Sequence, residues 1–98
     1  MEHATISADI LAKYAGDAAR EVEGVDGLVE SHLHRHRGVR VTDEDGRIAV
    51  ELHLAVTWGA SIPAVGREVQ QRVAAYLARM ADLDNVRVDV VVDEVGAP

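Results

Sequence analysis

The chain contains no cysteine and no phenylalanine. The first absence removes disulfides, thiolate metal sites and a thiol nucleophile, and it suits a reducing compartment. The second, with a single Trp and two Tyr, leaves the core to be filled by Val, Leu, Ile and Ala. No apolar run approaches the ~20 residues of a membrane-spanning helix. The opening Met1-Glu2-His3-Ala4-Thr5-Ile6 lacks the basic and apolar regions of a signal peptide. Together these absences point to a cytoplasmic protein that does not itself insert into a membrane. Positive charge is also scarce. Ten Lys and Arg stand against 17 Asp and Glu, for a formal net charge of −7. Nucleic acid and anionic lipid both need a cationic surface, so no nucleic-acid partner is expected.

What is present is periodicity. The 98 residues suit a single domain over 1–98, ordered from about residue 5 to about 95, with Gly96-Ala97-Pro98 as a frayed end. From Ser7 to Val22, Ile10, Tyr14, Ala18 and Val22 recur at helical spacing, with Leu11, Ala15 and Ala19 widening the stripe. Ser7 is placed to cap this helix, and Gly24-Val25-Asp26-Gly27 to stop it. Strand alternation follows through Val29, Leu33, Val39 and Val41, with Gly38 marking a bulge or a break between two strands. Asp45-Gly46 is a hairpin signal. Ile48, Val50, Leu52, Leu54, Val56 and Trp58 then point one way, and Ala49, Glu51, His53, Ala55 and Thr57 the other. Ser61 caps a second helix with Pro63 in its first turn and an apolar stripe of Ile62, Val65, Val69, Val73, Tyr76, Leu77 and Met80. Val86, Val88, Val90 and Val92 alternate in a last strand. The order α-β-β-β-α-β, with one apolar face per strand and one apolar stripe per helix, predicts an α+β fold of two layers. Two helices cover one face of a mostly antiparallel sheet, and the other face stays polar and open.

The same residues resemble the alkaline shock protein family, also called the Gls or envelope stress response family. Three segments carry the likeness: Ile6-Ser7 through Ala18-Ala19 to Glu21-Val22-Glu23-Gly24-Val25; Gly38-Val39 through Gly46 to Val50, Leu52, Val56, Trp58 and Gly59; and Ile62-Pro63, Val65 and Val69-Gln70 through Val73 and Met80 to Leu83, Val86, Val88 and Val90. The chain departs from the family pattern at Trp58 (usually Tyr), Ala64 (Glu), Gly66 (Ala), Ala81-Asp82 (Thr-Gly) and Asp89 (Asn). The resemblance implies a cytoplasmic bacterial protein without enzymatic activity. It is linked to envelope stress, associates with itself or related members, and is in some cases brought to the membrane by an anchored partner.

The residues themselves offer one conspicuous cluster. On a strand, His32, His34 and His36 share a face, and His53 lies on the outer face of its own strand with Glu51 and Asp89 near it. Three readings stand for these histidines: a solvated polar strand, a surface that gains charge as pH falls toward 6, or a small metal- or ligand-binding module built on His32, His34, His36 and His53. Arg35, Arg37 and Arg40, with Arg47, form the one basic concentration. Gly24-Val25-Asp26-Gly27 matches the GxxG of a nucleic-acid clamp but lies between a helix and a strand, beside acidic residues. Asp43-Glu44-Asp45 lacks the alternating ligands of a calcium loop. Ser31 has no nucleophile-elbow setting, no glycine run forms a phosphate loop, and no cofactor is called for. Trp58 and Tyr76 read as core or core-edge residues, with Trp58 as the first interface anchor were it exposed. The expected function is therefore association through the outer sheet face (His32, His34, His36, Glu51, His53, Arg87 and Asp89) or through an exposed strand edge.

Overall fold

The computed structural model describes residues 6–30 and 38–98. Helix α1 (Ala8–Arg20) starts where the Ser7 hydroxyl accepts the Ile10 N–H at 3.2 Å. Strand β1 (Val25–Leu28) follows, then the hairpin of β2 (Val39–Glu44) and β3 (Arg47–Val56). Helix α2 (Ile62–Ala81) leads to the last strand, β4 (Arg87–Val95). Ser61 caps α2 by accepting the Ala64 N–H, and proline occupies its first turn, as the sequence predicts. The order α-β-β-β-α-β is the one expected from periodicity.

β3 is the long central strand. β4 runs parallel to it along one edge, from Ala49 opposite Arg87 to Val56 opposite Val95. The other edge is shared end to end by two antiparallel partners. β2 pairs residues 47–52, and β1 pairs 54–56. The expected antiparallel character therefore holds for two of the three pairings. The parallel one is imposed by α2, because a helix between two strands returns the chain in its original direction.

Gly38 marks the break between β1 and β2. Its φ of 86° is left-handed, and a Cβ there would sit 2.6 Å from the Val29 carbonyl oxygen. Only glycine lets the two strand ends approach this closely. The hairpin turn also meets its expectation: Asp45 and Gly46 both take positive φ, and the Gly46 N–H donates to the Asp43 carboxylate at 2.8 Å.

Even-numbered residues of β3 face the core. Val50, Leu52, Leu54 and Val56 are fully buried against Val39, Val88 and the helices. α2 contributes Val65, Val69, Val73 and Leu77, a clean four-residue repeat. α1 packs through small side chains, Ala12, Ala15, Ala18 and Ala19, together with Leu11, and Val22 just past its end is buried with them. Since both helices join the core that includes the even face of β3, they cover the same side of the sheet.

Three details correct the expectation. Ile10 is 45% exposed, because the buried stripe of α1 is rotated toward Leu11, Ala12 and Ala15. Ile62 and Met80 also lie exposed at the two ends of α2. Gly96 is not frayed, since its N–H donates to the Val56 carbonyl at 2.9 Å.

α2 ends at Asp82, which adopts the left-handed conformation at φ 56° and ψ 39°. Glycine occupies such caps without a Cβ penalty, and glycine is the residue usual at this position in the family the chain resembles. Asp82→Gly is expected to raise the unfolding free energy by a few tenths to ~1 kcal/mol, the smaller value applying if added freedom in the unfolded chain offsets the relief. Urea denaturation of both proteins measures it.

Candidate functional site

The face of the sheet turned away from the helices is built from odd residues of β3 and their neighbours. Register places Arg40 opposite Glu51 and Thr42 opposite Ala49 on one side. On the other, Arg87 lies opposite Ala49 and Asp89 opposite Glu51. Arg40, Thr42, Glu44, Ala49, Glu51, Arg87 and Asp89 line a shallow recess of about 180 Å³. Arg87 spans it, with Nη1 2.8 Å from Glu44 and Nε 3.1 Å from Asp89. All three side chains are about half exposed, so these pairs orient the surface more than they stabilise it.

His53 is the buried polar side chain on this face. It is only 8% exposed, and each ring nitrogen meets a carboxylate. Nε2 lies 2.7 Å from Glu51 Oε2 and Nδ1 2.8 Å from Asp93 Oδ2. Neutral imidazole has one donor and one acceptor nitrogen, so satisfying both carboxylates requires imidazolium. Burial is the strongest single influence on its pKa and lowers it. The hydrogen bonds to Glu51 and Asp93 and the charge of both carboxylates together outweigh burial and raise the pKa above the ordinary histidine value. The arrangement is a charged clasp between β3 and β4.

A β-bulge makes the clasp. Up to Leu54 opposite Val92 the two strands run in register, but Ala55 pairs with Glu94, leaving Asp93 as the extra residue. A bulge re-aims side chains, and this one turns the Asp93 carboxylate onto the ring. Strand alternation groups His53 with Glu51 and Asp89. The structure keeps Glu51 but supplies Asp93 in place of Asp89, which is engaged by Arg87. It also corrects the view of His53 as freely presented, because the imidazole is shielded on the strand paired along both edges. A metal at His53 would have to displace both carboxylate hydrogen bonds. Among the described residues no group of three or more His, Asp or Glu could hold a metal ion. His32, His34 and His36, with Ser31, Arg35 and Arg37, lie outside the described residues.

Trp58 is a second correction. Its place in the alternating run suggests a core-facing side chain, but β3 ends at Val56. Trp58, followed by the left-handed Gly59, is 59% exposed. An exposed Trp beside a rigid sheet end is a good anchor for a partner surface. Tyr76 is core-edge as expected, edge-on to Tyr14 with centroids 5.8 Å apart and with Arg79 over its ring. Arg47 is tied to the Asn85 carbonyl at 2.7 Å. Gly24 takes φ 99°, in keeping with a helix stop, and Gly27 lies within β1.

An α+β sheet with one helix-covered face and one charged face defines a small two-layer domain, and comparison with known proteins places it. Residues 1–97 match the alkaline shock protein 23 family, which has a cell envelope-related function, and the chain belongs to that family. It is 33% identical over 88 residues to the uncharacterized protein YqhY of Bacillus subtilis (strain 168), covering 80% of this chain but 65% of YqhY, less than two thirds of that relative. It is 29% identical over 99 residues to the uncharacterized protein Spy1614 of Streptococcus pyogenes serotype M6, covering 85% of this chain and 82% of that protein. Among solved structures, a MamM-CTD aligns with a TM-score of 0.58 at 15% identity, over 90% of this chain and 99% of that one. A manganese form of the MamM CTD aligns at 0.57 and 16%, again over 90% and 99%. At these identities the likeness is one of fold. Among the described residues no helix is long and apolar enough to cross a membrane.

The clasp has a pH signature. Its folded-state pKa lies above that of the unfolded chain, so the stabilisation from imidazolium is complete below about pH 6.5 and is lost as pH rises through the folded-state value. His53→Gln is expected to cost about 1–3 kcal/mol near pH 6, because two carboxylates lose their shared cation, and less near pH 9. Urea denaturation at both pH values checks this. An equal loss at both would show that His53 acts by packing alone.

Proposed function

We propose that the chain is a non-catalytic association module of the envelope stress response. It pairs with itself or with related family members and reaches the membrane through an anchored partner. One observation carries this reading: the helices cover a single face of the sheet, and the opposite face presents Arg40, Glu44, Glu51, Arg87 and Asp89 in a shallow mixed-charge surface. A surface of both signs, fixed by cross-strand pairs on a rigid sheet, selects partners by charge complementarity. Trp58, exposed at the end of β3, adds an apolar anchor. Family membership supports the envelope-related setting.

Catalysis is not favoured by this geometry. The one histidine among the described residues has both nitrogens held by carboxylates, leaving neither as an available general base. The serines that cap α1 and α2 are turned to their own helix N–H groups.

Light scattering on the intact chain across a wide concentration range tests the reading. The expected mass rises above the 10.6 kDa of the monomer as concentration increases, and the rise weakens in high salt as the charged contacts are screened. A constant 10.6 kDa mass throughout would remove self-association from the account.

A further inference from the structure

The orientation of the peptide groups in β4 is fixed by the hydrogen bonds of β3. The His53 carbonyl accepts the Val29 N–H, and the Thr57 N–H donates to Gly24, so odd residues of β3 turn their peptide groups toward the β1 edge. The Val56 carbonyl instead accepts the Gly96 N–H, so even residues turn toward β4. In a parallel ladder an even residue such as Leu52, aligned with Val90, bonds to the residues on either side of its partner, Asp89 and Val91. Val88, Val90 and Val92 therefore point their N–H and C=O groups away from β3. A separate contact agrees: the Gln70 side chain donates to the Val88 carbonyl at 3.0 Å, as expected of a carbonyl that faces away from β3. Among the described residues no strand pairs with this edge.

The side chains along the edge are incompletely covered as well. Val90 and Val92 are on the core face yet only half-buried, and Val91 is 37% exposed on the outer face. Among the described residues this row of peptide groups has no strand partner, only the Gln70 side chain on the Val88 carbonyl, and such an edge flanked by partly exposed valines is a template for another strand.

Resting on the self-association reading above, we propose that this edge pairs with the same edge of a second copy, antiparallel, about a two-fold axis at Val90. Hydrogen bonding and charge both select that register. In it Val90 faces Val90 and Val88 faces Val92, so all three outward residues of each chain exchange both N–H and C=O bonds within the straight part of β4, before the bulge at Asp93. The Val88 carbonyl keeps a second lone pair for this beside its bond from Gln70. The same register sets Arg87 opposite Asp93 and Asp89 opposite Val91. An axis at Asp89 would oppose that carboxylate to itself, and an axis at Val91 would oppose Asp89 to Asp93. Like charges directly across a strand pair are destabilising. Shifts by a single residue are excluded because facing side chains must lie on the same face of the sheet. The partner is thus a second copy of this chain, joined in a C2 interface that doubles the sheet and brings the two outer faces into one surface.

Because the chain lacks cysteine, the register can be read by cross-linking. Asp89 and Val91 face each other at a non-hydrogen-bonded site, where Cα atoms approach to ~4.5 Å, within disulfide range. Identical positions are offset by two residues, ~6.5–7 Å along the strand, and fall outside it. Asp89→Cys and Val91→Cys proteins, each confirmed as folded by circular dichroism, are oxidised mildly, alone and mixed. Disulfide dimer is expected about tenfold more abundantly in the mixture than in either variant alone. If light scattering detects dimers but mixing gives no enhancement, the β4 edge is not the interface and the broader association reading survives. If neither dimer nor cross-link forms, the edge pairing and self-association both fall.

Discussion

The pairing of β3 along both of its edges is the constraint from which the rest of this small domain follows. Its even residues, Val50, Leu52, Leu54 and Val56, form the fully buried floor of the core. That floor holds α1 and α2 to one side. A chain of this size has little surface to bury, and one strand shared by three ladders concentrates the burial where it is most effective. β1, β2 and β4 each gain order by pairing with β3.

The same strand period determines the chemistry of the opposite face. Odd residues of β3 cannot enter the core without inverting the strand, so Glu51 and His53 are committed to the outer side. There the parallel neighbour supplies Arg87, Asp89 and, through the bulge, Asp93. A buried charge is tolerable only when paired, and the two carboxylates on His53 provide that pairing. The fold thereby presents a fixed, charged sheet face, and Trp58 lies exposed past the end of β3; the proposed association draws on both.

Much of this architecture could be read from residues whose local preference agreed with the fold. Asp45-Gly46 announced the hairpin because both positions take positive φ. Ser7 and Ser61 announced the helix starts because their hydroxyls cap free N–H groups. Gly38 marked the break between strands because the chain passes within contact of Val29. The site was less legible. Alternation makes Asp93 equivalent to Asp89, and the register shift beside Asp93 is marked in the sequence only by the adjacent polar pair Asp93-Glu94, too slight a break to single out Asp93 as the partner of the imidazole. The orientation of α1 was blurred by its alanines, whose small apolar surface signals weakly yet permits close packing. Trp58 misled because the period was continued two residues past the end of the strand. The parallel pairing of β4 depends on α2 carrying the chain back across the sheet, a tertiary matter that no local window contains.

Amide hydrogen exchange of the dilute intact chain, resolved residue by residue, tests the central role of β3 most directly. Slow exchange is expected throughout residues 48–56. An alternating pattern is expected on β4, with the Asp89 and Val91 amides protected and those of Val88, Val90 and Val92 exchanging fast. Uniform protection along β4, or faster exchange in β3 than in β2 and β4, would contradict a sheet organised around a single doubly paired strand.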